Sequence, residues 1–552
     1  MMKFNYHRRS SAVVAVGNTI IGGESPIRVQ SMTNTNTLDT PGSVAQILRI
    51  ADKGADLVRL TTQGTPEAEN MRNIEEGIHA EGCNVPLVAD VHFNPKAAFA
   101  AAATCEKVRI NPGNFVDAAR TFRRLEFTDA EYAEEIERIR GAFIPFLEIC
   151  KANSTAVRLG VNHGSLSDRI MSRYGDTPAG MVESVMEYLR IAREADFSNI
   201  VISIKASNVV VMVATVRLLV SEMEREGMNF PIHLGVTEAG DGEDGRVKSA
   251  VGIGTLLAEG TGDTIRVSLS EDPENEIPVA IALRDYITSR AGHAPIPRPA
   301  EIADFPARKL ACDVAGIGGS AQWPLVIGHD LPIPDAAITV DASSDPGQMT
   351  GKDSVPIILT SGHQNPVGEM QSWIERYIAQ GGRAPIILKM RYPDEDKDII
   401  RLKASADLGA MLLNGYGNAL LLDAPVLTAE EQSSLLLSIL QAARLRFSKT
   451  EYIACPSCGR TLFDLQSALA KVKEATSHLT GLKIGVMGCI VNGPGEMADA
   501  DYGYVGAGPG RVSLYKGKEL KLKNLPTDEA LPALINLIKE NGDWQDALNT
   551  TN

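Results

Sequence analysis

The stretch Ala-Val-Arg-Leu-Gly-Val-Asn at residues 156–162 is one of eight short apolar or β-branched runs that decide the fold of this chain. Between the runs lie stretches rich in Ala, Leu and Glu, which are typical of helices. The runs cover residues 27–32, 57–62, 86–92, 107–111, 156–162, 199–205, 231–237 and 264–269. Eight strands that alternate with helices predict an α/β fold, a (β/α)8 TIM barrel, and we place this domain at residues 1–290.

Polar side chains come late in most of these runs. The carboxyl ends of the strands in such a barrel form one face, and that face carries the active site. The residues are Arg59, Asp90, His92, Arg109, Asn111, Arg158, Asn162, His163, Lys205, Glu238, Arg266 and Ser268. Arginine binds phosphate oxygens bidentately, so four arginines and a lysine at one mouth predict a ligand with at least two phosphates. For any single arginine, a solvated or salt-bridged surface position is the alternative.

Three of these residues are candidates for acid–base chemistry. Asp90 and Glu238 can act as general acids or bases, or can simply orient the arginines. His163, which Gly164 follows, is a candidate catalyst, with a plain hydrogen-bonding role as the alternative.

A second signal lies near the C-terminus. Cys455 and Cys458 form a Cys-Pro-Ser-Cys motif, and Cys489 lies in Met-Gly-Cys-Ile-Val-Asn-Gly-Pro-Gly-Glu at residues 487–496. Four thiolates usually hold an iron–sulfur cluster, so a set of three leaves one iron for an oxygen ligand or a substrate. Glu496 is the candidate oxygen donor. The pattern predicts a cluster that does chemistry on a bound molecule.

Two other interpretations of the cysteines stay open. A structural zinc site needs four Cys or His ligands, and His478 is the only histidine in this region that could complete one. A disulfide is disfavoured because the N-terminus has no apolar signal-peptide core, and cytosolic thiols stay reduced. The remaining cysteines read as small core residues: Cys83, Cys105, Cys150 and Cys312.

The composition sets the wider limits. The chain has 552 residues, 44% of them hydrophobic and 22% charged, which is ordinary for a globular protein of about three domains. No apolar run reaches the roughly 20 residues that span a bilayer, so we expect a soluble, cytoplasmic protein. The net charge of −15 argues against a nucleic-acid surface. Any anionic ligand must therefore be held by cations that are gathered locally.

A set of ordered motifs resembles the 4-hydroxy-3-methylbut-2-enyl diphosphate synthase family. The motifs are Val-Gln-Ser-Met-Thr-Asn-Thr (29–35), Ala-Asp-Val-His-Phe (89–93), Val-Arg-Ile-Asn-Pro-Gly-Asn (108–114), Arg-Leu-Gly-Val-Asn-His-Gly-Ser-Leu (158–166), Gly-Val-Thr-Glu-Ala-Gly (235–240), Gly-Asp-Thr-Ile-Arg-Val-Ser-Leu (262–269), Cys-Pro-Ser-Cys-Gly-Arg (455–460) and Gly-Cys-Ile-Val-Asn-Gly-Pro-Gly-Glu (488–496). The resemblance covers residues 5–290 and 450–525.

The resemblance implies an oxidoreductase of the non-mevalonate isoprenoid pathway. Its reaction is the reductive ring opening and dehydration of 2-C-methyl-D-erythritol 2,4-cyclodiphosphate. The resemblance implies that a 4Fe-4S cluster is held by Cys455, Cys458, Cys489 and Glu496. It also implies that the substrate is bound by Arg59, Arg109, Asn111, Arg158, Asn162, Lys205, Arg266, Ser268 and Asn492, next to Asp90, His163 and Glu238. Glu496 freed from iron is our candidate proton donor for the departing hydroxyl.

The partners follow from the same chemistry. A small electron carrier such as ferredoxin or flavodoxin is the expected electron donor. No nucleic acid or membrane is expected. The sequence leaves the oligomeric state open, and a homodimer is the working expectation.

Residues 291–450 are an insert relative to a two-domain pattern, and they resemble the middle domain of the family's plant-like, three-domain form. The insert contains an internal repeat of the barrel end: residues 246–268 align without a gap on residues 401–423. Gly254, Gly260 and Gly262 fall on Gly409, Gly415 and Gly417, whereas Arg266 falls on Leu421. We therefore expect an α/β spacer or structural domain, related to the end of the barrel, that has lost the phosphate-binding side chains. Chance similarity is the alternative, since such glycines are common helix stops.

The last domain, residues 451–552, is expected to be a small α/β iron–sulfur domain resembling those of sulfite and nitrite reductases. We predict a helix at 461–475, a strand at 482–487 and a hairpin at 504–522 that turns at Lys516-Gly-Lys. Two other function classes compete with the synthase. A pterin-binding synthase barrel would leave the cysteine loop unexplained, and a zinc-stabilised scaffold would be colourless.

Overall fold

The computed structural model describes residues 4–117, 126–300, 302, 306–319, 321–461, 463–489, 497 and 499–546. Two compact units share the chain. One comprises Met1–Arg9, Arg246–Thr261 and Ile281–Ser448, and the other comprises Ser10–Gly245, Gly262–Ala280 and Lys449–Asn552. The second unit holds all of the barrel strands together with the C-terminal domain, so the candidate site lies within it.

The barrel prediction is confirmed. Eight parallel strands close in the order β10-β3-β4-β5-β6-β7-β8-β9. The strands are β3 (Arg28–Met32), β4 (Leu57–Thr62), β5 (Leu87–Val91), β6 (Lys107–Ile110), β7 (Ala156–Asn162), β8 (Ile200–Lys205), β9 (Ile232–Leu234) and β10 (Thr264–Ile265). The last two strands are shorter than the apolar runs that predicted them, because the chain leaves the sheet ladder before the runs end.

Helices connect these strands. They are α1 (Thr40–Asp52), α2 (Thr65–Ala80), α3 (Pro95–Ala101), α4 (Pro112–Phe115), α5 (Asp129–Ala152), α6 (Asp168–Tyr174), α7 (Pro178–Glu194), α8 (Val209–Arg225), α9 (Gly242–Ala258) and α10 (Glu276–Thr288). Local sequence sets several of their starts. The Thr177 side chain, for example, accepts a hydrogen bond from the Gly180 N–H, and proline occupies the first turn of α7.

A short N-terminal hairpin packs at the amino ends of the barrel strands. The hairpin consists of β1 (Val14–Val16) and β2 (Thr19–Ile21). Its apolar side chains form one cluster with residues at the starts of four strands, namely Leu57, Val88, Ala156 and Val201. Apolar packing covers this end of the barrel, and the opposite, carboxyl end is free to hold a polar site.

The insert contains a parallel sheet of its own, in the order β11-β15-β14-β13-β12. The strands are β11 (Leu325–Val326), β12 (Ile338–Asp341), β13 (Ile357–Thr360), β14 (Ile386–Arg391) and β15 (Ala419–Asp423), and the helices are α11 (Pro366–Ala379), α12 (Lys397–Leu413) and α13 (Ala429–Ala442). The expected α/β character of the insert is therefore present, with helices between its last three strands.

The internal repeat seen in the sequence is also present in the secondary structure. Helix α12 begins and ends 155 positions after α9, and β15 begins 155 positions after β10, which is the offset of the sequence alignment. The two helices also pack on each other through their aligned glycines. A Cβ at Gly254 would lie 2.8 Å from the Cβ of Ala406, and a Cβ at Gly409 would lie 2.9 Å from the Cα of Val251. Because Val251 aligns with Ala406, the contact is reciprocal.

The described residues of the C-terminal domain form a five-stranded sheet with two helices. Its order is β16-β17-β18-β19-β20, with β16 (Glu451–Ala454), β17 (Lys483–Met487), β18 (Tyr502–Gly508), β19 (Arg511–Lys516), β20 (Glu519–Pro526), α14 (Leu465–Thr476) and α15 (Thr527–Glu540). The turn at Lys516 joins β19 to β20, where a hairpin turn was predicted. However, β18 also pairs with β19 across a turn at Gly508-Pro-Gly510. The expected hairpin is thus part of a three-stranded meander.

No helix among the described residues is both long and apolar enough to cross a membrane.

Candidate functional site

A cavity of about 90 Å³ lies where the carboxyl ends of the barrel strands meet the cysteine loop of the C-terminal domain. Ten of the barrel residues singled out by the strand-end pattern line it: Arg59, Asp90, His92, Arg109, Arg158, Asn162, Lys205, Glu238, Arg266 and Ser268. Cys455, Cys458 and Cys489 line the same cavity. The strand ends and the cysteine loop, which are separated by almost two hundred residues of chain, therefore form one site.

Hydrogen bonds hold two of the arginines in place. Arg266 donates from Nε and Nη2 to the two carboxylate oxygens of Glu276, at 3.0 and 2.9 Å. Arg109 donates to Asp90 Oδ1 at 3.2 Å, to Asn162 Oδ1 at 3.1 Å and to the Gly160 carbonyl at 2.8 Å. These partners fix the planes of the two guanidinium groups, as bidentate recognition of an anion requires.

The cations crowd one another inside the cavity. Burial lowers the pKa of Arg59 to about 10, with Arg266 and Arg109 adding to the effect and Asp90 opposing it. Burial, then Arg59 and Arg158, lowers the pKa of Lys205 well below its usual range. Because the positive charges repel one another in a poorly solvated space, a polyanion bound among them would relieve an electrostatic cost.

Asp90 is the acid at the centre of this group. Burial by itself would raise the pKa of Asp90, but Arg59 and Arg109 outweigh burial and hold the pKa well below the usual range. His92 Nε2 lies 3.6 Å from Asp90 Oδ2 and also contacts Arg109. Burial, then Arg109, lowers the pKa of His92 well below its usual value. Asp90 is therefore ionised and His92 neutral near pH 7.

The parallel pairing of β16 with β17 brings the cysteines together. Ala454 is paired with Val486, so Cys455 and the Gly488-Cys489 segment leave adjacent strand ends. The Gly488 N–H donates to Cys455 Sγ at 3.2 Å. Burial raises the pKa of the Cys455 thiol well above its usual value, and the Gly488 N–H opposes this effect. A backbone donor aimed at the sulfur is suited to a thiolate ligand, since hydrogen bonds to the sulfurs tune iron–sulfur clusters.

The described residues hold no group of three or more His, Cys, Asp or Glu side chains close enough to bind a single metal ion. His478 does not complete a zinc site, because its Nε2 bonds to the Gln545 carbonyl at 2.8 Å and its ring packs edge-on against Trp544. In a cubane cluster each cysteine binds a different iron, so its ligands lie farther apart than those of a mononuclear site. The three cysteines line one cavity, and His478 is not in its described lining.

Two residues that line the cavity adopt a left-handed backbone conformation. Glu238 and Ser457 line the cavity with φ values of 50° and 60°, and Phe93, next to His92, has a φ of 58°. Residues other than glycine adopt this left-handed region at an energetic cost, and such residues cluster at functional sites. Glu238 lies on the barrel side of the cavity, and Ser457 lies on the side of the cysteine loop.

Two predicted residues lie elsewhere. His163 Nε2 is 3.4 Å from Asp176 Oδ1, and His163 is not in the described lining of the cavity. Asn111 is also outside this lining, where its side chain donates to Ser165 Oγ at 3.0 Å and accepts from the Gly113 N–H at 3.0 Å. Asn492 and Glu496 fall outside the described residues.

The lining also includes side chains that the sequence did not single out as site residues: Met32, Ser203, Thr237, Arg460 and, apart from its place in the strand-end pattern, His92. Met32 is apolar, yet its sulfur accepts from Arg59 Nε and Nη2 at 3.0 and 2.8 Å. Only the motif Val-Gln-Ser-Met-Thr-Asn-Thr at the end of β3 could have drawn attention to it.

Both ends of the chain match known families. Residues 11–281 match a family model described as the GcpE TIM-barrel domain, and residues 451–540 match one described as the GcpE protein C-terminal domain. A Parabacteroides distasonis protein named 4-hydroxy-3-methylbut-2-en-1-yl diphosphate synthase (flavodoxin) is 51% identical, over 99% of this chain and 100% of the relative. A Bacteroides fragilis protein of the same name is 52% identical over 98% and 97%. The chloroplastic rice enzyme named with ferredoxin is 39% identical, over 98% of this chain and 88% of the relative.

Proposed function

The chain belongs to the GcpE family of 4-hydroxy-3-methylbut-2-en-1-yl diphosphate synthases, and from this premise we propose how its site works. The reaction is the reductive ring opening and dehydration of 2-C-methyl-D-erythritol 2,4-cyclodiphosphate to 4-hydroxy-3-methylbut-2-enyl diphosphate, a step of isoprenoid biosynthesis. One observation above all supports this function: five cations of the barrel and three cysteines line the same cavity.

The barrel side of the cavity binds the diphosphate. Arg59, Arg109, Arg158, Lys205 and Arg266 supply positive charge to both phosphates, and Ser268 and Asn162 supply neutral polar groups beside them. As the C–O bond of the ring breaks, negative charge grows on the diphosphate oxygen. The fixed guanidinium groups of Arg109 and Arg266 stabilise that charge without having to reorganise.

The cysteine side holds the cofactor. We propose that Cys455, Cys458, Cys489 and Glu496 bind a 4Fe-4S cluster. When bound, such a cluster supplies electrons singly and a Lewis acid for the departing oxygen. The lining of the cavity by all three thiols, and the N–H bond to Cys455, support this assignment.

The two buried acids of the barrel have different roles. Asp90 is held ionised by Arg59 and Arg109, so it orients cations and has no proton to donate near pH 7. Glu238, which strained backbone turns into the cavity, is the candidate for proton transfer on the barrel side. His163 pairs with Asp176 beside the mouth, and we propose that it holds the loop after β7.

The electron donor is a small redox carrier. Relatives are named for flavodoxin or ferredoxin, and we propose that a protein of this class reduces the chain. Assembly as a homodimer stays a prediction, which light scattering of the purified protein would test.

An anaerobic turnover assay tests the function. The protein, reconstituted with iron and sulfide, is mixed with reduced flavodoxin and the cyclodiphosphate, and phosphorus NMR follows loss of the cyclic phosphate signals. We expect a brown protein that forms the linear diphosphate. The control is Cys489→Ala, which should keep a folded barrel but lose the brown colour and the turnover. A colourless wild-type protein, or full activity in cluster-free Cys489→Ala, would contradict the proposal.

A further inference from the structure

The cysteine loop rests directly on the barrel mouth at Gly459. A Cβ at this position would lie 2.7 Å from the Thr35 carbonyl oxygen and 3.4 Å from the Thr61 Cβ. Only a residue without a side chain allows so close an approach. The residue that follows, Arg460, is therefore aimed at the barrel from a fixed point.

Arg460 contacts the acid at the centre of the cation group. Its Nη2 donates to the Asp90 carbonyl oxygen at 3.3 Å, and its Nη1 lies 3.7 Å from Asp90 Oδ2. The side chains are 6% and 4% exposed. Among the described residues of the C-terminal domain that line the cavity, Arg460 is the only cation. The same carboxylate accepts a hydrogen bond from Arg109, so one acid joins the cysteine loop to the diphosphate side of the site.

Other ion pairs between the barrel loops and the C-terminal domain lie at the rim and are far more exposed. Lys449 pairs with Asp244 at exposures of 38% and 30%, and Lys473 pairs with Asp241 at 27% and 32%. Exposed pairs of this kind contribute little, whereas a buried guanidinium next to a carboxylate has a defined position. The Arg460–Asp90 contact is thus a buried ionic link that can set the register of the loop, beside the Ser270 hydroxyl, which donates to the Ala454 and Cys455 carbonyls at 3.3 and 3.0 Å.

We propose that Arg460 is a positioning residue for the reaction, which by joining Asp90 fixes the loop of residues 455–460 over the diphosphate site. The inference rests on the proposed function. Arg460 binds neither the cofactor nor, in this role, the substrate: it sets the distance between the part of the site that donates electrons and the part that holds the diphosphate. Small misplacements of reacting groups are costly to the rate.

Three variants test the proposal in the full-length, reconstituted protein. Arg460→Met removes the charge, Arg460→Lys keeps the charge without the planar fork, and Lys473→Met removes a rim pair as the matched control. For Arg460→Met we expect a kcat lower by about 10- to 100-fold, with the Kd for the cyclodiphosphate changed less than about threefold. Hydrogen exchange of residues 452–461 should become faster while the brown colour is retained. Arg460→Lys should lie between wild type and Arg460→Met, and Lys473→Met should match wild type in all three measurements.

Two outcomes would overturn the inference. An unchanged kcat and unchanged exchange in Arg460→Met would show that the contact with Asp90 has no positioning role. A Kd that rises as much as kcat/KM falls would make Arg460 a substrate-binding cation instead. If Arg460→Met fails to fold, Arg460→Lys decides by the same criteria. The exchange and binding measurements do not depend on turnover, so they show whether Arg460 holds the loop separately from whether the wild type converts the cyclodiphosphate, which tests the proposed function.

Discussion

At the scale of single residues, the acids of the site are distributed by burial and by charge. Asp90 contacts Arg109, His92 and Arg460, while Glu276 accepts both hydrogen bonds from the Arg266 fork. Each acid compensates a buried guanidinium that also lines the cavity. A substitution at one of these arginines therefore changes the stability of the protein as well as its affinity for a ligand.

Arg266→Leu separates these two effects when it is combined with a second change. Alone, it leaves Glu276, which is 1% exposed, without its cation, and we expect a loss of about 3 to 5 kcal/mol of stability. The double variant Arg266→Leu/Glu276→Gln should regain most of the melting temperature. Its transition-state stabilisation, measured through kcat/KM, should still be lower by about 2 to 4 kcal/mol, because one charge-assisted pair to the diphosphate is missing. Recovery of kcat/KM in the double variant would show that Arg266 does not bind the substrate.

The pH dependence of stability gives a test of His92. Its folded pKa is depressed, so below about pH 6.5 the unfolded chain takes up a proton that the folded chain does not, and stability falls as the pH falls. His92→Gln should reduce the slope of unfolding free energy against pH by up to about 1.4 kcal/mol per pH unit between roughly pH 6.5 and 5. Urea unfolding measured at several pH values checks this, with His79→Gln on the exposed side of α2 as the control. Part of the slope should remain in His92→Gln, because His233 is also buried and its pKa is also depressed. An identical slope in His92→Gln and wild type would contradict the assignment.

The sequence predicted most of the barrel side of the site, because a polar residue late in an apolar run must lie at the carboxyl end of its strand. It could not show which of two histidines enters the cavity. His92 and His163 both follow strands directly. A residue with positive φ follows each of them, Phe93 with φ of 58° and Gly164 with φ of 81°, so both loops turn sharply just after the histidine. Those angles depend on the packing of the loops, which a strand pattern does not contain.

At the scale of elements, the strand pattern was reliable where the apolar run coincides with the ladder. It failed where backbone geometry ends the ladder early: β9 stops at Leu234, although apolar residues continue to Val236. In the C-terminal domain, Gly508-Pro-Gly510 makes a second tight turn, which divides the first arm of the predicted hairpin into the two strands β18 and β19. Turn glycines and prolines carry this information, but only together with the register of both neighbouring strands.

The packing of α9 on α12 predicts opposite effects for two Gly→Ala changes. Gly254→Ala places a Cβ 2.8 Å from Ala406, so the helices must move apart, at a cost of about 1 to 3 kcal/mol that exceeds the gain in helix propensity. Gly141→Ala, on α5 with no atom within 4 Å of the new Cβ, should instead stabilise by up to about 1 kcal/mol. Thermal unfolding of both variants shows whether steric crowding between α9 and α12 outweighs the higher helix propensity of alanine. A higher melting temperature for Gly254→Ala would rule out the tight crossing.

At the scale of the whole molecule, the candidate site belongs to one of the two compact units. Every residue that lines the cavity lies in the unit that contains the barrel strands and the C-terminal domain. The link between Arg460 and Asp90 spans 370 positions of the sequence, and no local pattern could predict it. The insert repeats the helix and strand of the barrel end with leucine in place of Arg266, which supports a structural role.

A matched pair of lysines tests whether the insert takes part in binding. Lys205 at the end of β8 lines the cavity, whereas Lys389 on β14 of the insert lies 3.2 Å from Asp423. We expect Lys205→Met to lower kcat/KM by about 10- to 100-fold, because a buried charge next to the diphosphate is lost. Lys389→Met should leave kcat/KM unchanged. A comparable loss in Lys389→Met would assign the insert a part in the reaction.

The reciprocal contact between α9 and α12 also affects how this chain can change. Where two identical chains meet through the same patch, one codon specifies both halves of the contact, so every mutation there acts twice. Here the contact residues of α9 and of α12 are encoded at separate places in one gene, so a mutation can change one helix and leave the other unchanged. Val251 and Ala406 already differ at corresponding positions, facing Gly409 and Gly254 respectively. Selection can therefore tune one half of this crossing while the other stays fixed.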